Sequence, residues 1–240
     1  MAGSAHAPAR HRRRRMPRSA RGIVLFAAML AVAASAVAFV SYLLWPRWPG
    51  AEVSLDAPAL PITVADVTFK VPPAAIRVAL QRRSGAQARV DLVFLWPSLT
   101  PPDPAAKPAP GAAPPSPFDR IFLTIAESEG GLAPVERRKT IYPRYTLREP
   151  QAGPEGLALL VFRNGSPYEG EDLIYEMAAP ERFFARCTRG SGPTPGTCLR
   201  EQRIGAAELS MRFPRVWLDD WRAVTQTIDR LIAGLHPSAG

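Results

Sequence analysis

The chain has 240 residues, a formal net charge of +9 and 27 prolines. Seven arginines and no acid fall within residues 1–21 (Arg10, Arg12, Arg13, Arg14, Arg15, Arg18 and Arg21), which leaves 23 basic and 21 acidic residues, only +2, on everything after them. A charge confined to one arm excludes a basic nucleic-acid-binding fold. Histidines occur only at positions 6, 11 and 236, which removes Ser-His-Asp and Cys-His catalysis and His-bearing zinc sites from the body of the chain.

Residues 22–45, GIVLFAAMLAVAASAVAFVSYLLW, carry no charge. As a helix this run measures about 36 Å, enough for a bilayer core of about 30 Å. Arginines beside a span stay cytoplasmic, because carrying them through hydrocarbon is costly. The reading is therefore a disordered cytoplasmic arm (1–21), a transmembrane signal anchor in the lipid bilayer (22–45) and a linker (46–58). Arg21, Trp45 and Trp48 flank the anchor, with Tyr42, Trp45 and Trp48 at interfacial depth. A cleaved signal peptide competes with this reading, since Ala34-Ser35-Ala36 and Ala36-Val37-Ala38 resemble cleavage sites. The apolar run continues past both to Leu44, longer than such a segment needs. Pro17 and Arg18 weigh against a twin-arginine signal.

Residues 59–236 are expected to form a periplasmic domain. Apolar residues from Ile62 to Val71 switch phase near Asp66, which predicts a bulge or two short strands. AAIRVALQRR after Pro72-Pro73 predicts a short helix. VDLVFLW (90–96) is apolar at both parities and predicts a central strand buried on both faces. Residues 97–117 hold nine prolines and little to bury, which predicts a disordered proline-rich loop of polyproline II character. Strands follow at 120–126, 156–162, 172–177, 182–187, 198–204 and 208–218, with a short basic helix at 134–142. The last helix carries one stripe, Trp221, Val224, Ile228, Leu231, Ile232 and Leu235, behind Asp219 and Asp220 as capping acids. The fold class is α+β, a mainly antiparallel sheet with helices on one face.

Phosphate-cradling glycine loops are absent. The acid clusters, Asp219-Asp220, Glu127 with Glu129, and Glu169 with Glu171-Asp172, read as solvated or capping groups rather than a catalytic pair. Arg137-Arg138-Lys139 and Arg186, Arg189, Arg200 and Arg203 read as faces balanced by nearby Glu136 and Glu201. No cofactor, metal or nucleic-acid site is indicated.

The two cysteines, Cys187 and Cys198, bracket CTRGSGPTPGTC. A zinc site wants four ligands, and redox catalysis usually wants C-x-x-C. In an oxidising compartment these two thiols are expected to pair as a structural disulfide across a loop. Direct pairing would continue to Arg182 opposite Arg203, an unfavourable contact unless the ladder ends first or the register differs.

VPPAAIRVALQRR with VDLVFLWP, RIFLTI with ERRKTIYPRY, and CTR and CLRE with RFPRVWLDDW resemble together an uncharacterised group of alphaproteobacterial single-pass membrane-anchored proteins with a periplasmic domain and no assigned activity. The resemblance implies an anchored topology and carries over no catalytic residue. The functional expectation is a non-enzymatic binding or assembly module of the cell envelope, with an envelope protein or cell-wall component as partner. The alternative is an envelope glycan hydrolase using paired carboxylates.

Overall fold

The computed structural model describes residues 18–44, 53–103, 119–190 and 195–237. The chain divides into two units, Met1–Trp48 and Pro49–Gly240. The first contains helix α1 (Arg18–Leu44), which includes Arg21. Its described apolar side chains are exposed, among them Phe26, Met29, Leu30 and Phe39. The side chains of residues 42–44 lie outside the described part, as do Trp45 and Trp48. No helix among the described residues is long and apolar enough to cross a membrane.

The second unit opens with a hairpin, β1 (Leu60–Val64) and β2 (Val67–Val71). A two-residue turn places Val64 opposite Val67, so both parities of the sequence face one core. This is the two-strand outcome of the phase switch. A short strand β3 (Gly85–Ala86) runs parallel to β1. The expected helix between them does not form. Two 3-10 turns, Pro73–Ala75 and Ala79–Gln81, stand in its place. Ile76 bridges to Leu92, and the Gln81 side chain accepts the Asp91 N–H at 2.9 Å. Pairing with a sheet edge outcompetes a weak helical propensity.

The main sheet is antiparallel and eight-stranded. Its strands are β4 (Arg89–Leu95), β5 (Arg120–Glu127), β6 (Gln151–Ala152), β7 (Leu157–Val161), β8 (Glu171–Glu176), β9 (Phe184–Thr188), β10 (Thr197–Ile204) and β11 (Ala207–Pro214). Their order is β4-β5-β11-β10-β9-β8-β7-β6. VDLVFLW thus lies at an edge, not the centre. Val90, Leu92 and Phe94 enter the core, while Val93 and Leu95 lie half-buried on the other face. Residues 104–118 of the proline-rich stretch lie outside the described part.

The join between β9 and β10 is the shortest in the middle of the sheet. β10 and β11 share eight register pairs, but β9 and β10 share two, Cys187 with Cys198 and Arg186 with Leu199. The ladder ends before Arg182 and Arg203 would meet. Arg182 instead pairs with Glu176, and Arg203 with Glu208 at 3.0 Å.

Neighbouring residues of β8 point to opposite faces, and each face meets a different helix. Ile174 joins the main core with the β1–β2 hairpin and helix α3 (Trp221–Leu235). The six expected stripe residues of α3 are all buried. Leu173 joins a second core, with Phe162, Phe184 and Tyr142, against Val135 and Ile141 at helix α2 (Pro134–Thr140). The helices therefore lie on both faces, contrary to the one-face expectation. The cause is that α2 has its own apolar contacts on the far side of β7–β9.

Two terminal details also differ from expectation. The α3 N-cap Asp220 makes no side-chain cap bond. A 3-10 turn, Arg215–Asp220, leads into the helix, and the Trp221 N–H finds the Leu218 carbonyl. His236 is docked rather than loose, with Nδ1 3.2 Å from the Thr68 carbonyl and its ring 5.5 Å from Phe69.

Leu123 is fully buried between Leu92 and Met211 on neighbouring strands. Leu123→Ala is expected to lower unfolding stability by about 2–5 kcal/mol. Urea unfolding of the full-length chain followed by far-UV circular dichroism checks this. A loss below about 1 kcal/mol would mean that the sheet centre is not packed as described.

Candidate functional site

The cysteines close a loop at the β9–β10 junction. Cys187 and Cys198 form a disulfide, and both are buried. A closed loop of this length stabilises the fold by roughly 3 kcal/mol in the chain-entropy account. Gly196 inside it is required sterically, because a Cβ there would meet the Thr188 carbonyl at 2.2 Å.

Beside the disulfide, Asp172 of β8 lies opposite Cys187 and is 3% exposed. Its carboxylate receives Arg189 Nε at 2.9 Å and Arg215 Nη1 at 2.7 Å. Arg215 also donates to the Thr188 carbonyl at 3.2 Å. A buried carboxylate with two guanidinium partners fixes the base of the loop and is saturated. It is a structural clip.

The four expected arginines are likewise engaged. Arg186 pairs with Glu171 at 2.7 Å, Arg200 with Asp229 at 3.1 Å, and Arg189 and Arg203 as above. Burial pushes the Arg200 guanidinium pKa down, only partly offset by Asp229. Arg137 binds Glu208 at 2.7 Å and Glu201 at 3.4 Å, and Lys139 binds Glu181 at 2.5 Å. These groups do not converge on a free cationic site.

What the sheet leaves open is elsewhere. On the far face of β4, β5, β11 and β10, no helix among the described residues covers Val93, Leu95, Phe122, Thr124, Ala126 and Ser210, which are all half-buried. Two concavities lie along β5 and β11 on this face. The first, about 310 Å³, is lined by Arg120, Phe122, Gly196, Thr197, Arg212 and Pro214, among others. The second, about 360 Å³, is lined by Thr124, Ala126, Glu127, Glu129, Arg137 and Ser210, among others, with α2 and the 128–131 turn as its wall. They succeed one another along the same two strands and are together called the groove below, with the short side chains of Thr124, Ala126 and Ser210 in the second. Arg77 reaches over from the β4 edge, its guanidinium 4.8 Å from the Phe122 ring. Neither Phe122 nor Arg77 nor Arg212 is singled out by sequence pattern. The only trace is the apolar residue at the outward parity of RIFLTI and VDLVFLW.

Two carboxylates on this face, Glu208 and Asp91, are poorly suited to acid catalysis. Burial pushes Glu208 up, but hydrogen bonds from Arg137 and Arg203 outweigh it and hold the carboxyl below its ordinary range. Asp91 behaves similarly. Burial raises it, and hydrogen bonds from Arg89, Gln81 and Thr124 bring it down to about 2. A glycosidase general acid needs the opposite shift. Glu169 sits at a turn, accepting the Gly165 N–H at 2.9 Å. Among the described residues no group of three or more His, Cys, Asp or Glu could hold a metal ion.

No protein-family model matches the chain, and no curated protein sequence matches it. Among solved structures, the fold is similar to that of an immunity protein of the Stenotrophomonas maltophilia type IV secretion system. The identity is 14% and the TM-score 0.51, over 73% of this chain and 92% of that one. A weaker likeness, to an iron-regulated outer membrane lipoprotein of Neisseria meningitidis, has 6% identity and a TM-score of 0.39 over 75% of this chain and 95% of that one. The first shows a shared fold, and the second carries no argument.

Asp91 forms one rim of the open face, so its ionisation is a probe of that region. Its folded-state pKa, about 2, lies below the ordinary 3.8. The stability it contributes is therefore complete above about pH 4 and lost as pH falls through about 2. Asp91→Asn is expected to destabilise the chain at about pH 5 and progressively less towards about pH 2. Urea unfolding of both chains across that window checks this, and a pH-independent difference would contradict it.

Proposed function

We propose that the chain is a single-pass inner-membrane protein, N-terminus cytoplasmic, whose periplasmic α+β domain is a non-enzymatic binding module of the cell envelope. The observation that carries the reading is the uncovered half of the sheet. One face of β4, β5, β11 and β10 is sealed by the main core, while the other presents a groove with aromatic, apolar and charged groups, walled by α2 at one end and with no helix over it among the described residues. An uncovered, half-apolar sheet face rimmed by charge suits an interaction surface.

The anchor is supported by the uncharged run at 22–45 behind seven arginines, and by apolar α1 side chains exposed within their own unit. Arg21 on the inner side, and Trp45 and Trp48 on the outer, would mark its ends. The disulfide supports export to an oxidising compartment. The arrangement agrees with the anchored periplasmic topology of the alphaproteobacterial group that the sequence resembles. An immunity role, as described for the S. maltophilia protein, is one specific form of such a module, and that likeness carries the fold alone. The glycan hydrolase reading is disfavoured by Glu208 and Asp91, whose neighbours hold them ionised.

A photo-cross-linking amino acid placed at Phe122 or Ser210 in the native host should yield discrete protein adducts on irradiation of intact cells. The same group at Glu149, exposed on a distant loop, should not. Adducts absent from both groove positions, or equally abundant at Glu149, would remove the groove as the binding surface.

A further inference from the structure

Between Val67 and Pro102 the chain carries five bases, Lys70, Arg77, Arg82, Arg83 and Arg89, and one acid, Asp91. Asp91 is taken by Arg89 at 2.7 Å. Arg77 leans on the Phe122 ring and Arg82 donates to the Ile76 carbonyl, contacts that leave both guanidinium charges in place. On this basic ground Val78, Ala79 and Leu80 are all exposed. Leu80 is 87% exposed and Val78 41%. Single exposed apolar side chains are ordinary. Here, however, the backbone that presents them is held in place. The 3-10 turn Ala79–Gln81 closes through the Gln81 N–H to the Val78 carbonyl at 2.9 Å and the Arg82 N–H to the Ala79 carbonyl at 3.1 Å. The Gln81 side chain donates to Asp91 at 3.1 Å and accepts the Asp91 N–H at 2.9 Å. Gln87 Nε2 donates to the carbonyls of Gln81 at 3.1 Å and Arg83 at 2.7 Å. Two apolar side chains are thus displayed on a pinned knob at the β4 edge, among arginines.

We propose that this knob, residues 77–83, rests on an anionic phospholipid surface. Val78 and Leu80 enter the boundary between headgroups and acyl chains, and Arg77, Arg82 and Arg83 meet headgroup phosphates. The inference rests on the reading of the chain as membrane-anchored and adds a second contact with the bilayer, made by the domain itself. Apolar burial and attraction of bases to anionic lipid add in such contacts. A tether raises the effective concentration of the surface, so two apolar side chains and three charges suffice where a free domain would need more. A lipid surface yields to a protruding side chain, whereas a protein partner must offer a pocket shaped to it. Leu80, with so little of its own chain around it, suits the first. The contact turns the β4 edge of the sheet towards the bilayer and leaves β6, at the opposite end of the strand order, away from it.

The test uses the full-length chain reconstituted into vesicles. Cys187 and Cys198 are bonded to each other, so a cysteine introduced at the exposed Ser84 takes a bimane label alone. A nitroxide carried near the top of the lipid acyl chain should quench that label in vesicles containing phosphatidylglycerol, and should leave a label on Glu149→Cys unquenched. In pure phosphatidylcholine the equilibrium towards the quenched state should fall by about fivefold or more, the effect of losing even one arginine–lipid attraction. Leu80→Asp is expected to lower it by about tenfold or more, and Arg83→Glu by about fivefold or more. Both positions are exposed, so both variants should melt like the parent, and should one melt lower the other is read alone. No quenching at Ser84→Cys, equal quenching at Glu149→Cys, quenching independent of phosphatidylglycerol, or indifference to the substitutions overturns the proposal. So do discrete protein adducts from a photo-cross-linker at Leu80 in cells without lipid quenching, which assign the knob to a protein partner. Flotation of the unlabelled chain with phosphatidylcholine vesicles after an alkaline wash reads the anchor separately. A chain that floats but shows no quenching loses only the surface contact, and one that does not float loses the anchored reading and the contact with it.

Discussion

The sheet depends on a join that its own ladder barely makes. β4, β5, β11 and β10 form one half and β9, β8, β7 and β6 the other, and the halves share only two register pairs. Neighbouring joins have five to eight such pairs. Two side-chain devices compensate. The Cys187–Cys198 bond ties the halves covalently, and buried Asp172 in one half holds Arg215 from the end of β11 in the other. Both act at the same end of the junction. At this junction a disulfide and a three-charge clip add to the shared main core what the short backbone ladder does not supply.

That dependence links location to architecture. A disulfide of this kind stabilises by roughly 3 kcal/mol, a sizeable part of the total stability of an ordinary domain. In a reducing compartment the two halves would still share the main core and the Asp172–Arg215 pair but would lose the covalent tie at their junction. The loop that carries the cysteines also ends at the groove, where Gly196 and Thr197 line the first concavity with Arg120 and Arg212. The same segment closes the sheet and shapes the candidate site.

Much of the framework was legible in the residues. The α3 stripe, the alternation of Leu209, Met211 and Phe213, and the pairing of two cysteines across a glycine- and proline-rich loop all follow from local periodicity and composition. The candidate site was far less legible, for physical reasons. VDLVFLW has apolar residues at both parities because Val93 and Leu95 on its outward face are themselves half-buried, a pattern indistinguishable in sequence from a strand buried on both sides. AAIRVALQRR looks helical, yet Ile76 and Gln81 pair with β4 at Leu92 and Asp91. Arg77, Arg120 and Arg212 are far apart in sequence and meet only through strand order. In the arginine runs that do stand out, Arg137, Lys139, Arg186, Arg189, Arg200 and Arg203 are absorbed by acids across the fold, and Arg138 lies over the Phe184 ring.

The functional account thus combines a proposed membrane tether, a disulfide-closed domain and a sheet face, proposed as a recognition surface, on which Asp91 and Glu208 are held ionised. Its central claim is that the β9–β10 junction is locked by an oxidised pair in an exported domain. The most direct measurement is thiol alkylation of the native protein in intact cells, quenched before lysis and followed by non-reducing electrophoresis. The account predicts that Cys187 and Cys198 are unreactive until a reductant is added. Two thiols alkylated without reductant would contradict both the lock and the export.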